Sequence, residues 1–183
     1  MQANKARNDL WMDLALVAFL IGLDVAARLL PHAPGFMPVA ASALFAGRML
    51  RIPMLAVAVP LIAMALSNAA LPSEHWIIIL VGFVCMAVPA LVGILSRRYS
   101  AAIVIVAAMV SCSLFFFVAS NFAVWAVGGL YPHSLEGLTQ CYILALPFLE
   151  KTVVGDLFWT AVLFGGAWLV QHGPALTFAR IKK

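Results

Sequence analysis

Runs of about twenty apolar residues recur along this chain, separated by prolines, glycines and short polar connections. That pattern restricts the fold more than any other feature. A helix crossing the roughly 30 Å hydrocarbon slab of a bilayer needs about 20 predominantly apolar residues. Inside that slab every backbone N–H and C=O must bond within the protein, so spanning segments are helices or closed barrels. The runs here predict helices over residues 11–30, 37–50, 52–71, 75–95, 101–122 and 152–170. The first ends at Pro31, because proline has no N–H to donate and disfavours helix in the residue before it. The second covers only about 21 Å at 1.5 Å per residue, so it is either a short span held inside the bundle or a re-entrant piece. Between the last two spans lies the segment YPHSLEGLTQCYILALPFLE, in which Ser134 is placed to cap a short interfacial helix. The fold class expected is all-α, an integral membrane bundle of six transmembrane helices, with residues 1–183 forming a single transmembrane domain.

Composition agrees with this count and removes several function classes. Of 183 residues 65% are hydrophobic, with 11 Lys and Arg against 7 Asp and Glu, whereas soluble domains are about a quarter charged. The net charge of +4 does not indicate a nucleic-acid partner, since the basic residues form no stripe. Cys85, Cys112 and Cys141 lie in separate segments without a CxxC pair, so no disulfide framework is expected. The sequence contains no HExxH, GxSxG or GxxxxGK pattern, and the four histidines stand in connections, at a span end or in the tail. No enzymatic activity, no metal site and no particular cofactor are expected. The N-terminal stretch starts with charge and turns apolar as a secretory signal does, yet Asp13 and Asp24 interrupt it. It is read as a retained first helix.

Cytoplasmic connections of membrane proteins carry excess Lys and Arg. With six spans and both termini cytoplasmic, that side collects Lys5, Arg7, Arg48, Arg51, Arg97, Arg98, Arg180, Lys182 and Lys183, nine of the 11 basic residues. Arg28 and Lys151 remain on the outer side. Making residues 37–50 re-entrant would spoil this segregation.

Ionisable groups in membrane helices are costly and usually face a cavity or a partner. Here Asp24 and Arg28 fall in the outer half of the first span, Asn68 and Asn121 near outer ends, and Asp156 just inside the last span. His32, His75, Tyr131 and His133 occupy adjoining outer connections. Asp24 and Arg28, four residues apart, are spaced to pair on one helix face, or Arg28 meets an anionic ligand group. The asparagines either bond across helices or contact a ligand. An outward-facing polar pocket accounts for the clustering, formed by Arg28, His32, Asn68, Asn121, Trp125, Tyr131 and Asp156. Ala18, Gly22 and Ala26 recur at four-residue spacing, which lets another helix approach closely; that helix belongs either to this bundle or to a separate membrane subunit. Cys85, near mid-span, reads as a small hydrophobe.

The strings RLLPHAPGFMPVAASALFAG, NFAVWAVGGLYPHSLEGL and CYILALPFLEKTVVGDLFWTAVLFG resemble those of an uncharacterised bacterial family of candidate transport proteins. That family is distantly similar to the substrate-binding S components of energy-coupling factor transporters. The likeness runs from about Arg28 to Gly165. It implies a six-helix protein of the bacterial inner membrane with an outward pocket for a vitamin-like molecule. It further implies that Ala18, Gly22 and Ala26 touch a transmembrane coupling subunit driven by ATPases. The function expected is binding and uptake of a small vitamin-like or metal-chelate solute. The alternative is an accessory subunit packed against a larger membrane complex without a ligand of its own. In either case the lipid bilayer is a partner and nucleic acid is not.

Overall fold

The computed structural model of the chain describes residues 2–31, 35–72, 75–99 and 101–181, excepting the side chains of residues 2, 3, 5 and 173–181. Six helices and no strand occur among the described residues: α1 (Gln2–Leu29), α2 (Val39–Met49), α3 (Pro53–Asn68), α4 (Trp76–Leu95), α5 (Ala102–Val127) and α6 (Leu135–Ile181), with a 3-10 turn at Ser96–Arg98 after α4. Four of them are long and apolar enough to cross a membrane, within Ala6–Leu29, Trp76–Arg98, Ala102–Val127 and Leu135–His172.

The other two expected spans are shorter than a bilayer crossing requires. At 11 and 16 residues, α2 and α3 measure about 16 and 24 Å along their axes. Proline marks both starts: Pro38 precedes α2, and Pro53 opens α3 at the first helical position, where a missing N–H costs nothing. The stretch 37–50 is held inside the bundle. Every residue of α2 from Ala41 to Gly47 is buried, and the helix packs against α1, α3, α4, α5 and α6.

Small side chains make that central position possible. A Cβ on Gly47 would collide with the Ala90 carbonyl, and one on Gly93 with the Leu44 carbonyl. Backbones of α2 and α4 therefore cross in direct contact, as small residues permit between membrane helices. Ala41, Ala43, Ala46, Ala56, Ala63 and Ala90 fill much of the remaining core. Large apolar side chains are turned outward instead: Trp76, Ile103, Leu130, Leu135 and Val170 are exposed. In the most apolar stretch of each long helix only 17 to 28% of the residues are buried. A soluble monomer does not expose apolar surface on this scale, whereas hydrocarbon solvates it.

The last span departs from expectation. α5 runs on to Val127, and α6 begins at Leu135 rather than near residue 152, continuing as one helix to Ile181. Ser134 does cap a helix start, accepting from Gly137 N at 3.2 Å, but that helix is α6 itself and not a separate short one. Glu136, Pro147, Glu150 and Lys151 break the apolar run and conceal the helix in sequence. Tertiary contacts hold it together: Cys141 and Ala145 are buried, and Tyr142 Oη donates to Val118 O of α5 at 2.7 Å.

The two ends of the bundle differ in how polar groups are met. At one end Arg48, in the last turn of α2, donates to Ser96 O (2.6 Å) and Tyr99 O (2.5 Å) beyond α4. Arg97 returns the favour, donating to Gly47 O and Leu50 O at 2.7 Å each. These carbonyls lie where helices leave acceptors without intrahelical donors. Arg51 joins α1 to the same end through Asp9 (3.2 Å) and Asp13 (3.9 Å). At the other end Arg28 closes α1 beside the last turn of α3. Successive helices α1 to α4 thus alternate in direction.

Candidate functional site

Between the Arg28 end and the bundle middle lies a cavity of about 560 Å³, within the usual size range of small-molecule sites. Along α4 it is bounded from Ile78 to Pro89, a depth of about 16 Å at 1.5 Å per residue. Arg28 and Asn68 stand at the helix-end level with Leu71 and Pro72. Arg28 Nε donates to Ser67 Oγ and its Nη2 to Asn68 Oδ1, both at 2.6 Å. Ser67 also back-bonds to Ala63 O at 2.8 Å, so the guanidinium rests on side chains that α3 itself orients.

One connection covers the side of the cavity toward α6. Gly35 takes φ +78°, a left-handed conformation that glycine adopts without steric cost, and an added Cβ would stand 2.9 Å from Thr152 Oγ1. Phe36 follows, with its ring 5.0 Å from that of Phe158 and 6.3 Å from that of Trp159. Gly155 leaves room for the Phe36 backbone, since its Cβ would meet Phe36 Cα at 2.9 Å.

Asp156, one turn below Thr152, lines the cavity and is only 4% exposed. Ser113 Oγ lies 2.6 Å from its Oδ2 and 3.0 Å from Met109 O. A hydroxyl has one proton, so Ser113 serves one of these acceptors at a time. Cys85, Cys112, Met64, Met86 and Phe116 supply apolar and sulfur-bearing wall. Among the described residues no group of three His, Cys, Asp or Glu is placed to hold a metal ion.

Three of the seven residues expected to form the pocket meet here: Arg28, Asn68 and Asp156. His32 lies outside the described residues. Asn121, Trp125 and Tyr131 do not line this cavity. Asn121 Nδ2 donates to Phe117 O of its own helix at 2.8 Å, and the residue borders a smaller void of about 170 Å³ between α5 and α6. Trp125 Nε1 donates to Pro132 O at 3.1 Å, and its ring packs on Phe122 and His133. Tyr131 sits half-buried in the α5–α6 connection. These three belong to α5 above Ser120 and to the turn after it, beyond the reach of the cavity.

Asp24 also departs from the expected pairing. Among the described residues its hydrogen-bond donor is Ser42 of α2, at 2.5 Å from Oδ2, Arg28 one turn on attracts it without a close ion pair, and its Oδ1 is buried without a hydrogen-bond partner. Ser67 and Asn68 draw the guanidinium toward α3, while the Asp24 face of α1 packs on α2. Ala18, Gly22 and Ala26 are exposed, and nothing comes within 4 Å of a Cβ placed on Gly22, so this strip is not used within the bundle.

Sequence reasoning missed Ser113, Cys112 and Thr152. Ser111-Cys112-Ser113 was a usable signal, because it is a cluster of small polar residues midway along an otherwise apolar span.

Fold and cavity together define an all-helical protein with membrane-length apolar helices and an internal void of ligand size. The profile of a family of unknown function, DUF6580, matches residues 8–176, and the chain belongs to that family. No curated protein and no solved structure matches it.

Proposed function

We propose that this chain is a solute-binding integral membrane protein that takes up a small vitamin-like or metal-chelate compound through a pocket facing the exoplasmic side. One observation carries this reading: a cavity of about 560 Å³ brings Arg28, Asn68 and Asp156, from three different helices, to one apolar chamber. Ionisable groups at membrane depth are retained mostly for function. Arg28, held on Ser67 and Asn68, presents a guanidinium suited to an anionic group. The shorter helices α2 and α3 complete a six-segment topology with both termini on the cytoplasmic side, in keeping with the excess of basic residues at the Arg48 end. The likeness to S components of energy-coupling factor transporters fits the same reading.

A thermal-shift screen of the purified full chain against vitamins, corrinoids and metal ions tests it. A stabilising compound is expected, and Arg28→Ala is expected to weaken that stabilisation and to lower cellular uptake. If nothing in the screen stabilises the protein and uptake survives Arg28→Ala, the reading is wrong.

A second reading is favoured by the exposed strip of Ala18, Gly22 and Ala26: docking against another membrane subunit, either an ATPase-driven coupling protein or a larger complex. Purification in gentle detergent separates these cases. An accessory subunit co-migrates in fixed ratio with its complex, whereas a carrier is recovered alone or with an ATPase module.

A further inference from the structure

We infer that the solute bears a protonated nitrogen, an ammonium or amidinium group, and that this group is seated on Asp156. The inference rests on the solute-binding reading and names the chemistry of its deep end. Asp156 is 4% exposed yet lines the chamber. Among the described residues no cation lies within ion-pair distance of it, and its one hydrogen-bond donor is Ser113, whose single proton is also claimed by Met109 O. A carboxyl so placed has acceptor capacity for several donors and at most one filled. Burying a charge without a partner is costly. A cationic nitrogen entering the chamber supplies the missing partner.

The surroundings agree. Among the described residues the other titratable or charged groups facing the chamber are Arg28 from α1 and the thiols Cys85 from α4 and Cys112 from α5; α2 and α3 contribute none. Arg28 lies at the helix-end level, bonded to α3, so positive charge is kept at the mouth and negative charge below. Phe116, Met64 and Met86 line the same chamber, and aromatic rings and thioethers suit an organic cation. A solute with an acidic end toward Arg28 and a basic end toward Asp156 matches both poles. The Asp24 carboxyl, although fully buried, borders α2 and not the chamber, so it plays no part.

Cys85 and Cys112 are built-in reporters. In the full chain carrying Cys141→Ser, labelling of these thiols by three methanethiosulfonates of similar size is followed by intact mass: ethylammonium, ethylsulfonate and hydroxyethyl. The cationic reagent is expected to label at least tenfold faster than the anionic one, after correction for their rates with free cysteine. Asp156→Asn is expected to erase that preference, read as the ratio of the cationic to the anionic rate, which is independent of any change in the thiols' own reactivity. Asp156→Glu, which keeps the charge, is expected to retain it, and a melting curve for each variant verifies folding. Equal corrected rates for cation and anion, or a preference that survives Asp156→Asn, overturn the nitrogen assignment alone. Failure of all three reagents to reach either thiol overturns the accessible chamber, and the solute-binding reading with it.

Discussion

Arginine does opposite work at the two ends of this bundle. At one end Arg48 and Arg97 exchange hydrogen bonds across α2 and α4, each donating to carbonyls at the other helix's C-terminal end. Arg51 ties α1 to them through Asp9 and Asp13. At the other end Arg28 rests on two α3 side chains at the edge of a cavity, and Asp156 lines that cavity with no cation among the described residues paired to it. Residue type alone does not separate a fastening from a site. What separates them is whether the arginine ties backbone carbonyls of two helices together or stands among side chains that line a cavity.

If the Arg48 end is the fastening, its disruption should unfold the protein, whereas disruption at the Arg28 end should spare the fold. The largest effect is expected for Gly93→Leu, which drives a side chain into the Leu44 carbonyl and Gly47 Cα. Overpacking of this kind costs about 3 kcal/mol or more, and fluorescence-detected size exclusion should show little monodisperse protein. Arg97→Ala comes next. It removes two charge-assisted bonds, and because the site is partly exposed the expected loss is about 2 kcal/mol, read as a melting temperature lowered by roughly 4–8 °C for a chain of this size. Arg97→Lys should recover less than half, since an ammonium cannot span both carbonyls in a fixed fork.

At the Arg28 end the order reverses. Arg28→Ala is expected to lower the melting temperature by less than Arg97→Ala, yet to weaken solute binding tenfold or more by calorimetry. If it destabilised the protein as much as Arg97→Ala, the contrast between the ends would collapse. Smallest of all, Gly22→Leu on the exposed strip should change stability by no more than about 0.5 kcal/mol. Its effect, if α1 docks a partner, is the loss of that partner on co-purification.

The helices themselves were readable because their signal is additive. Apolar residues sum over twenty positions, and proline or a short polar connection ends each run. Five helix positions follow from this, including the brevity of residues 37–50. The start of α6 escaped because its first four turns carry Glu136, Pro147, Glu150 and Lys151, and packing on α5 holds them helical. For the site, polarity at depth pointed to Arg28, Asn68 and Asp156. The same rule also selected Asn121, which satisfies its amide on its own helix; Trp125, expected to offer a flat apolar face, instead donates to Pro132 O in the connection after α5. A one-dimensional depth has no azimuth, so it cannot distinguish a residue facing inward from one facing along its own backbone.

The amino-acid order by itself determined that this chain is helical, that its long segments suit hydrocarbon, and that its basic residues gather toward one end. Each of these is a sum over many residues and survives any particular packing. Which polar groups meet was decided only in three dimensions. Gly47 and Gly93 let the backbones of α2 and α4 touch, and Gly155 lets the Phe36 backbone lie against α6. Packing of this kind is what brings Ser42 to Asp24, Ser67 and Asn68 to Arg28, and Asp156 to the wall of the cavity.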